Sequence, residues 1–346
     1  MPQPRLSLPL ISADPLHVSV TRGGAEESCH LVDLALCDAG GTVLMGLGDI
    51  ERQLFPRSAM KPLQAIALAE LWEEMSEAGR LAPAEFSLIC ASHNGQLEHV
   101  EAVNGLLKRH NLTSKSLSCG PQWSSDQQTL IRQARDLVAP DPVHNNCSGK
   151  HAGMLVLARL MGVEPDGYAD ITHPVQQRIL GVLEAMTGID LMTWPRGIDG
   201  RGAPALSAPL GNWARGMAMF AGGGEMSAGR EAACARIRDG IAAAPHLIAG
   251  DRRLCSALAQ SYGTKITAKT GAEGVYALSF HEFGLGAMLK VRDGNERAAH
   301  AAVGALLHAL GYDQSDDVHH FTRRQLQNWA GAHVGEINVS GPLAGF

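Results

Sequence analysis

Phe55-Pro56-Arg57-Ser58-Ala59-Met60-Lys61-Pro62-Leu63-Gln64 places a hydroxyl three residues ahead of an amine. Residues i and i+3 are neighbours on a helix, so Lys61 can lie beside the Ser58 oxygen and, when neutral, take its proton as the hydroxyl attacks a carbonyl. That is the Ser-x-x-Lys arrangement of acyl-transfer hydrolases. Taken alone the pattern is weak, because a Ser and a Lys at this spacing are usually just a solvated helix face.

Two further motifs change the balance. Ser92-His93-Asn94 follows the apolar run Phe86-Ser87-Leu88-Ile89-Cys90 and has the Ser-x-Asn form of a second catalytic element. Lys269-Thr270-Gly271 comes far downstream, ahead of the strand-like run Val275–Phe280. In penicillin-interacting enzymes this third element lines the site from a strand, its Lys supplying charge and its Gly admitting the substrate close to the backbone. Three motifs in the required order favour catalysis.

Composition narrows the class. The 346 residues are 45% hydrophobic and 18% charged with a net charge of −6, which fits a folded globular chain and gives no reason to expect nucleic acid. No apolar run reaches the roughly 18 residues of a membrane span, and the first residues lack the pattern of an export signal. A cytoplasmic location is therefore expected, with no membrane partner. The seven cysteines are scattered, contain no Cys-x-x-Cys pair, and read as reduced thiols.

Outward from the first motif, Leu16–Val20, Cys29–Leu36 and Thr42–Leu47 read as an antiparallel meander with a turn at Asp38-Ala39-Gly40-Gly41. A helix opens near Arg57, with Pro62 in its early turn and Leu63, Ile66, Ala67, Leu71 and Met75 on one buried face. The run ending at Ile89 reads as a strand. Helices follow at Leu97–His110 and Gln127–Val138, and another at Ala152–Met161. A further helix runs to Met186 from Thr172-His173-Pro174, with Thr172 as its cap. Gly197–Pro204 is too rich in glycine for regular structure. Helices are expected at Asn212–Phe220 and Ala228–Ile248, a strand at Gly284–Val291 and an alanine-rich helix at Arg297–Leu310. The tail from Asp313, with His319, His320, Arg323 and Arg324, shows little periodicity, and its histidines lack a third metal ligand. The expected fold is α+β: one antiparallel sheet built from N- and C-terminal strands around a helical middle.

One stretch resists a single reading. Asn145-Asn146-Cys147-Ser148-Gly149-Lys150-His151 leads into a helix, where a thiol beside Lys150 and His151 ionises more readily than free cysteine. As a phosphate loop its glycine spacing is wrong. Nothing prefers Cys147 over Ser58 as nucleophile, and a structural or metal-binding loop is the plainer alternative.

Together with Ala91-Ser92-His93-Asn94-Gly95, Thr172-His173-Pro174, Gly197-Ile198-Asp199-Gly200 and Ala268–Gly274, these stretches make the chain resemble the class 3, or rhizobial-type, L-asparaginases of the asparaginase II family over most of its length. The resemblance implies a fold similar to serine β-lactamases and glutaminases, forming a single domain over 1–346 with a helical insertion at about 95–265. It also implies a homodimer that hydrolyses L-asparagine to L-aspartate and ammonia. By position the two Ser-Lys pairs of the family fall on Ser58 with Lys61 and on Ser92 with Lys269. Arg57, His93, Asp199 and Arg201 become the candidates for holding substrate, Asp199 through its ammonium and Arg57 or Arg201 through its carboxylate. Ser-Lys chemistry needs no cofactor. Family members nonetheless hold zinc through two cysteines and a lysine, of which Cys147 and Lys150 match. The third position is Arg201, a cation that cannot ligate a metal. Two other readings remain open: a β-lactamase-like or other small-amide acylase using the same motifs, and a non-catalytic relative that binds an amino acid.

Overall fold

In the computed structural model, residues 3–322 and 325–345 are described. Strands β1 (Leu10–Ser12), β2 (Leu16–Arg22), β3 (Ala25–Asp38), β4 (Val43–Leu47) and β5 (Gln53–Leu54) lead to helices α1 (Lys61–Ala69), α2 (Pro83–Ile89), α3 (Leu97–Arg109), α4 (Gln127–Asp136), α5 (Ser148–Leu160) and α6 (Pro174–Thr187). Then come β6 (Arg196–Ile198), β7 (Pro204–Leu206), β8 (Ala208–Pro209), α7 (Leu210–Phe220), α8 (Ala228–Ala243) and α9 (Leu254–Tyr262). The chain closes with β9 (Ile266–Thr270), β10 (Val275–Phe280), β11 (Leu285–Val291), α10 (Glu296–Ala309), α11 (Asp316–Thr322), β12 (Gln325–Gln327) and β13 (His333–Ser340). These divide into two compact units: residues 1–59, 208–224 and 268–346, and residues 60–207 with 225–267.

The first unit carries the sheet, in the order β12-β13-β2-β3-β11-β10-β9 with β4 and β1 branching from β3. Strand β1 pairs with β4 in parallel, and the pairs β2–β3, β2–β13, β3–β4, β3–β11 and β10–β11 are antiparallel. Val32, Leu34 and Leu36 on β3 are buried, as are Leu278 and Phe280 on β10, because helices cover both faces. On one face the Ser279 hydroxyl donates to the Met217 carbonyl of α7 at 2.9 Å. On the other, Tyr276 meets His300 of α10 edge to face. Gly286 on β11 sets how near α7 can come: a Cβ there would lie 2.1 Å from the Ala218 nitrogen and 2.3 Å from the Ala214 carbonyl oxygen.

The second unit is helical around α5, whose residues from Ser148 to Ala158 are all buried. Gly149 lets the start of α5 rest on the end of α2, where a Cβ would sit 2.1 Å from the Leu88 carbonyl oxygen. All nine residues of α1 are buried, so the expectation of a single buried face is corrected: its polar members Lys61 and Gln64 are inside as well. The helix also stops at Ala69, before Leu71 and Met75.

Other expectations need correction. The apolar run ending at Ile89 is the helix α2, not a strand. Short apolar runs carry no decisive period, and here Pro83 sits in the first turn while the Glu85 carboxylate accepts from the Ala82 amide at 2.8 Å. The cap of α6 is His173, whose Nδ1 accepts from the Val175 amide, rather than Thr172. The glycine-rich loop contains the β6–β7 hairpin. The tail adds β13 to the sheet edge against β2; Arg323 and Arg324 lie outside the described residues. No helix among those residues is long and apolar enough to cross a membrane.

Gly286→Ala should force α7 away from β11 and cost about 3 kcal/mol, as overpacking of a tight contact does. Urea unfolding of the variant beside the parent measures this, and an unchanged midpoint would contradict the close approach.

Candidate active site

In the sheet unit, Ser58 lies in the 3-10 turn Arg57–Met60 that runs into α1. Arg57 has φ of +52°, left-handed backbone that costs an arginine free energy and is found where a site demands it. The Lys269-Thr270-Gly271 motif ends strand β9 and is adjacent: a Cβ on Gly271 would lie 2.5 Å from the Pro56 carbonyl oxygen. Glycine at 271 therefore lets the third motif pack against the segment that carries Ser58. Lys269 is fully buried, and its Nζ donates to the Thr270 carbonyl at 2.9 Å.

In the helical unit, the chain leaving α2 at Ala91-Ser92-His93-Asn94 is clamped on two sides. The Ser92 and Asn94 amides donate to Ile248 and Ala249 carbonyls, and the His93 amide donates to the Asn146 carbonyl. Asn94 is fully engaged, its side-chain oxygen accepting from Arg253 at 2.8 Å and its amide nitrogen donating to the Asp251 carbonyl at 3.0 Å. At His93, Nδ1 accepts from the Gly95 amide at 3.0 Å, which leaves the ring proton on Nε2 to donate to the Ser148 hydroxyl at 2.9 Å. The ring also stacks on His99 at 4.8 Å. Burial, then the neighbouring His99, holds the His93 pKa well below the usual value. A substrate contact from His93 would require one of these bonds to break.

Cys147 caps α5 and its amide donates to the Asn145 side chain at 2.9 Å, while Asn145 in turn donates to the Cys119 and Gly120 carbonyls. Lys61 reaches this corner from α1. Its Nζ donates to the Ala91 carbonyl, to Ser92 Oγ at 3.2 Å and to Cys147 Sγ at 3.2 Å. Burial lowers the Lys61 pKa, opposed by the Cys147 charge. For Cys147 burial works upward, but Lys61, Lys150 and Arg201 together bring the thiol below its ordinary pKa. The resemblance pairs Ser92 with Lys269; inside the helical unit the hydroxyl of Ser92 accepts from Lys61.

Lys150 donates to Asp199 Oδ2 at 2.8 Å. Asp199 Oδ1 closes the turn between β6 and β7 by accepting from the Arg201 amide at 2.8 Å and the Ala203 amide at 3.1 Å. Although burial raises it, Lys150 and those amides hold the Asp199 pKa down at about 2. The Arg201 guanidinium donates through Nη2 to Gln122 at 2.9 Å.

Two participants escaped the sequence. Tyr168, pushed up to about 12 by burial, accepts from the Ser118 amide and is 2.7 Å from His151 Nδ1. Gln122 meets Arg201 across 79 positions, a separation for which no local pattern exists.

The sequence profile of the L-asparaginase II family matches residues 18–339. The chain belongs to the L-asparaginase II family. Membership supports a hydrolase acting on amides. No curated protein matches the chain. Among solved structures, a β-lactamase from Mycobacterium bovis is 13% identical over 81% of this chain and 95% of that one, with a TM-score of 0.41. D-alanine carboxypeptidase AmpC from Burkholderia cenocepacia is 13% identical over 79% and 93%, with a TM-score of 0.37. Mglu in 4.3 M NaCl is 14% identical over 82% of this chain at a TM-score of 0.44, and the chain spans only 61% of its length.

The donor set implied for zinc does not fit. Cys147 accepts from an amine, the Lys150 amine is committed to Asp199, and Arg201 offers only N–H donors. Among the described residues no three His, Cys, Asp or Glu side chains are grouped to hold a metal ion.

Asp199, with a pKa lowered from 3.8 to about 2, stabilises the fold above pH 4, and this contribution disappears as pH falls through 2. Asp199→Asn should therefore cost about 2 kcal/mol at pH 7, with the gap to the parent closing between about pH 4 and pH 2. Urea titrations at stepped pH read the gap directly; a constant gap would contradict the ion pair.

Proposed function

We propose that the protein hydrolyses L-asparagine to L-aspartate and ammonia through a serine ester. The observation that carries this is the buried Lys61 amine held 3.2 Å from Ser92 Oγ, in a chain of the asparaginase II family. An ammonium out of water is destabilised, so burial favours the neutral, proton-accepting form.

In the proposed course the Ser58 oxygen attacks the side-chain amide carbon and gives up its proton to a lysine. The tetrahedral adduct collapses as a proton passes to the leaving nitrogen, and ammonia departs. Water then attacks the aspartyl ester, losing a proton to the same relay, and Ser58 regains its hydrogen as aspartate leaves. Lys61, Ser92 and Lys269 are assigned to the relay. Arg57 and Arg201 are assigned to the substrate carboxylate and Asp199 to its ammonium. The 3.2 Å contact favours a second assignment, with Ser92 as the nucleophile and Lys61 as its base.

Reduced thiols support a cytoplasmic home, six of the seven free cysteines being buried. The homodimer is proposed on the family resemblance, and light scattering checks it.

Ammonia release should be measured on asparagine, glutamine and other small amides, beside nitrocefin hydrolysis. Turnover of asparagine is expected, whereas nitrocefin turnover without ammonia would assign a β-lactamase-like acylase, and binding without turnover a non-catalytic relative. Ser58→Ala should lower kcat on the order of a thousandfold or more. Mass spectrometry of quenched enzyme decides the nucleophile: an aspartyl adduct on the Ser58 peptide supports the first assignment, and one on the Ser92 peptide replaces it.

A further inference from the structure

The corner of the helical unit around Cys147 gathers three basic side chains, Lys61, Lys150 and Arg201, each of which, when charged, lowers the pKa of its thiol. Asp199 neutralises only one of them, Lys150, at 2.8 Å. Lys61 is accommodated by a carbonyl, a hydroxyl and a sulfur. Arg201 has, among the described residues, no carboxylate partner: its Nη2 rests on the neutral Gln122 amide at 2.9 Å, and its Nε is buried with no acceptor. A buried N–H left unpaired costs roughly 1 to 3 kcal/mol, more when it belongs to a charged group. A guanidinium presents Nε–H and Nη–H as a planar fork whose geometry matches one carboxylate.

We infer that Arg201 makes this corner an anion site, receiving one carboxylate of a small acidic amino acid or dicarboxylate through Nε–H, and that the same guanidinium excludes zinc. The turn is built to hold the residue there. Asp199 Oδ1 fixes the Arg201 backbone amide at 2.8 Å and Lys150 fixes Asp199, so the backbone that carries the fork is held before a ligand arrives. The acidic product of the proposed reaction belongs to the ligand class. The inference deepens that reading, but it is tested by equilibrium binding and metal content, which need no turnover.

The probes are succinate and L-aspartate in titration calorimetry, and zinc measured by elemental mass spectrometry after incubation with zinc and desalting. The wild-type chain should bind succinate and retain no stoichiometric zinc. Arg201→Gln should weaken succinate by at least about tenfold, the loss expected for a charged hydrogen-bonded contact. Arg201→Lys, which keeps the charge and loses the fork, should fall between the two and guards against a misfolded glutamine variant. One zinc per wild-type chain, no succinate binding by wild type, or equal succinate affinity in both variants would each overturn the inference. Ammonia assays on the same preparations keep the two readings apart: chains that bind succinate through Arg201 and release no ammonia refute the hydrolase, not the anion site.

Discussion

An amine kept out of water is the constraint on which the helical unit depends. Lys61 sits on a helix with no exposed face, and a charged lysine there would be costly without partners on every side. The partners come from separate stretches of chain: the Ala91 carbonyl and Ser92 hydroxyl after α2, and the Cys147 sulfur at the cap of α5. Each must be placed to within a fraction of an ångström, and the packing of the unit is what places them. The carbonyl and the hydroxyl accept from the amine, while the sulfur can share charge with it. Burial favours the neutral amine, and the Cys147 charge beside it opposes that shift.

That placement depends on missing side chains as much as on those present. Gly149 brings the α5 cap onto the end of α2, which fixes Cys147 and Lys150 relative to Ser92. In the sheet unit, Gly271 brings the third motif against Pro56, and Gly286 seats α7 on β11. At each point a methyl group would meet a backbone atom, which cannot step aside as a flexible side chain can. Asn145 and Asn94 complete the work with side-chain amides that tie loops to the site from both ends of their hydrogen-bonding capacity.

Arg201 gives the site its own character. A metal would place a compact positive charge among thiolate and amine ligands; the guanidinium places a planar one that can only donate. The turn that holds it uses Asp199 twice, once for backbone amides and once for Lys150, so that carboxylate is largely occupied within the protein.

The sequence by itself determined the meander of β2, β3 and β4, most of the long helices and the motif residues, because these depend on local period, turn chemistry and residue type. It could not tell α2 from a strand, since the five residues 86–90, buried throughout, have no period to read. Nor did it show that the tail supplies β13, whose partner β2 lies more than three hundred positions earlier. Only the tertiary structure decided that Lys61 meets Ser92 and Cys147, that His93 bonds to Gly95 and Ser148, that Gln122 meets Arg201 and that Tyr168 meets His151. These are contacts between side chains far apart in the chain, fixed by how helices pack, and packing is a property of the whole core rather than of any stretch within it.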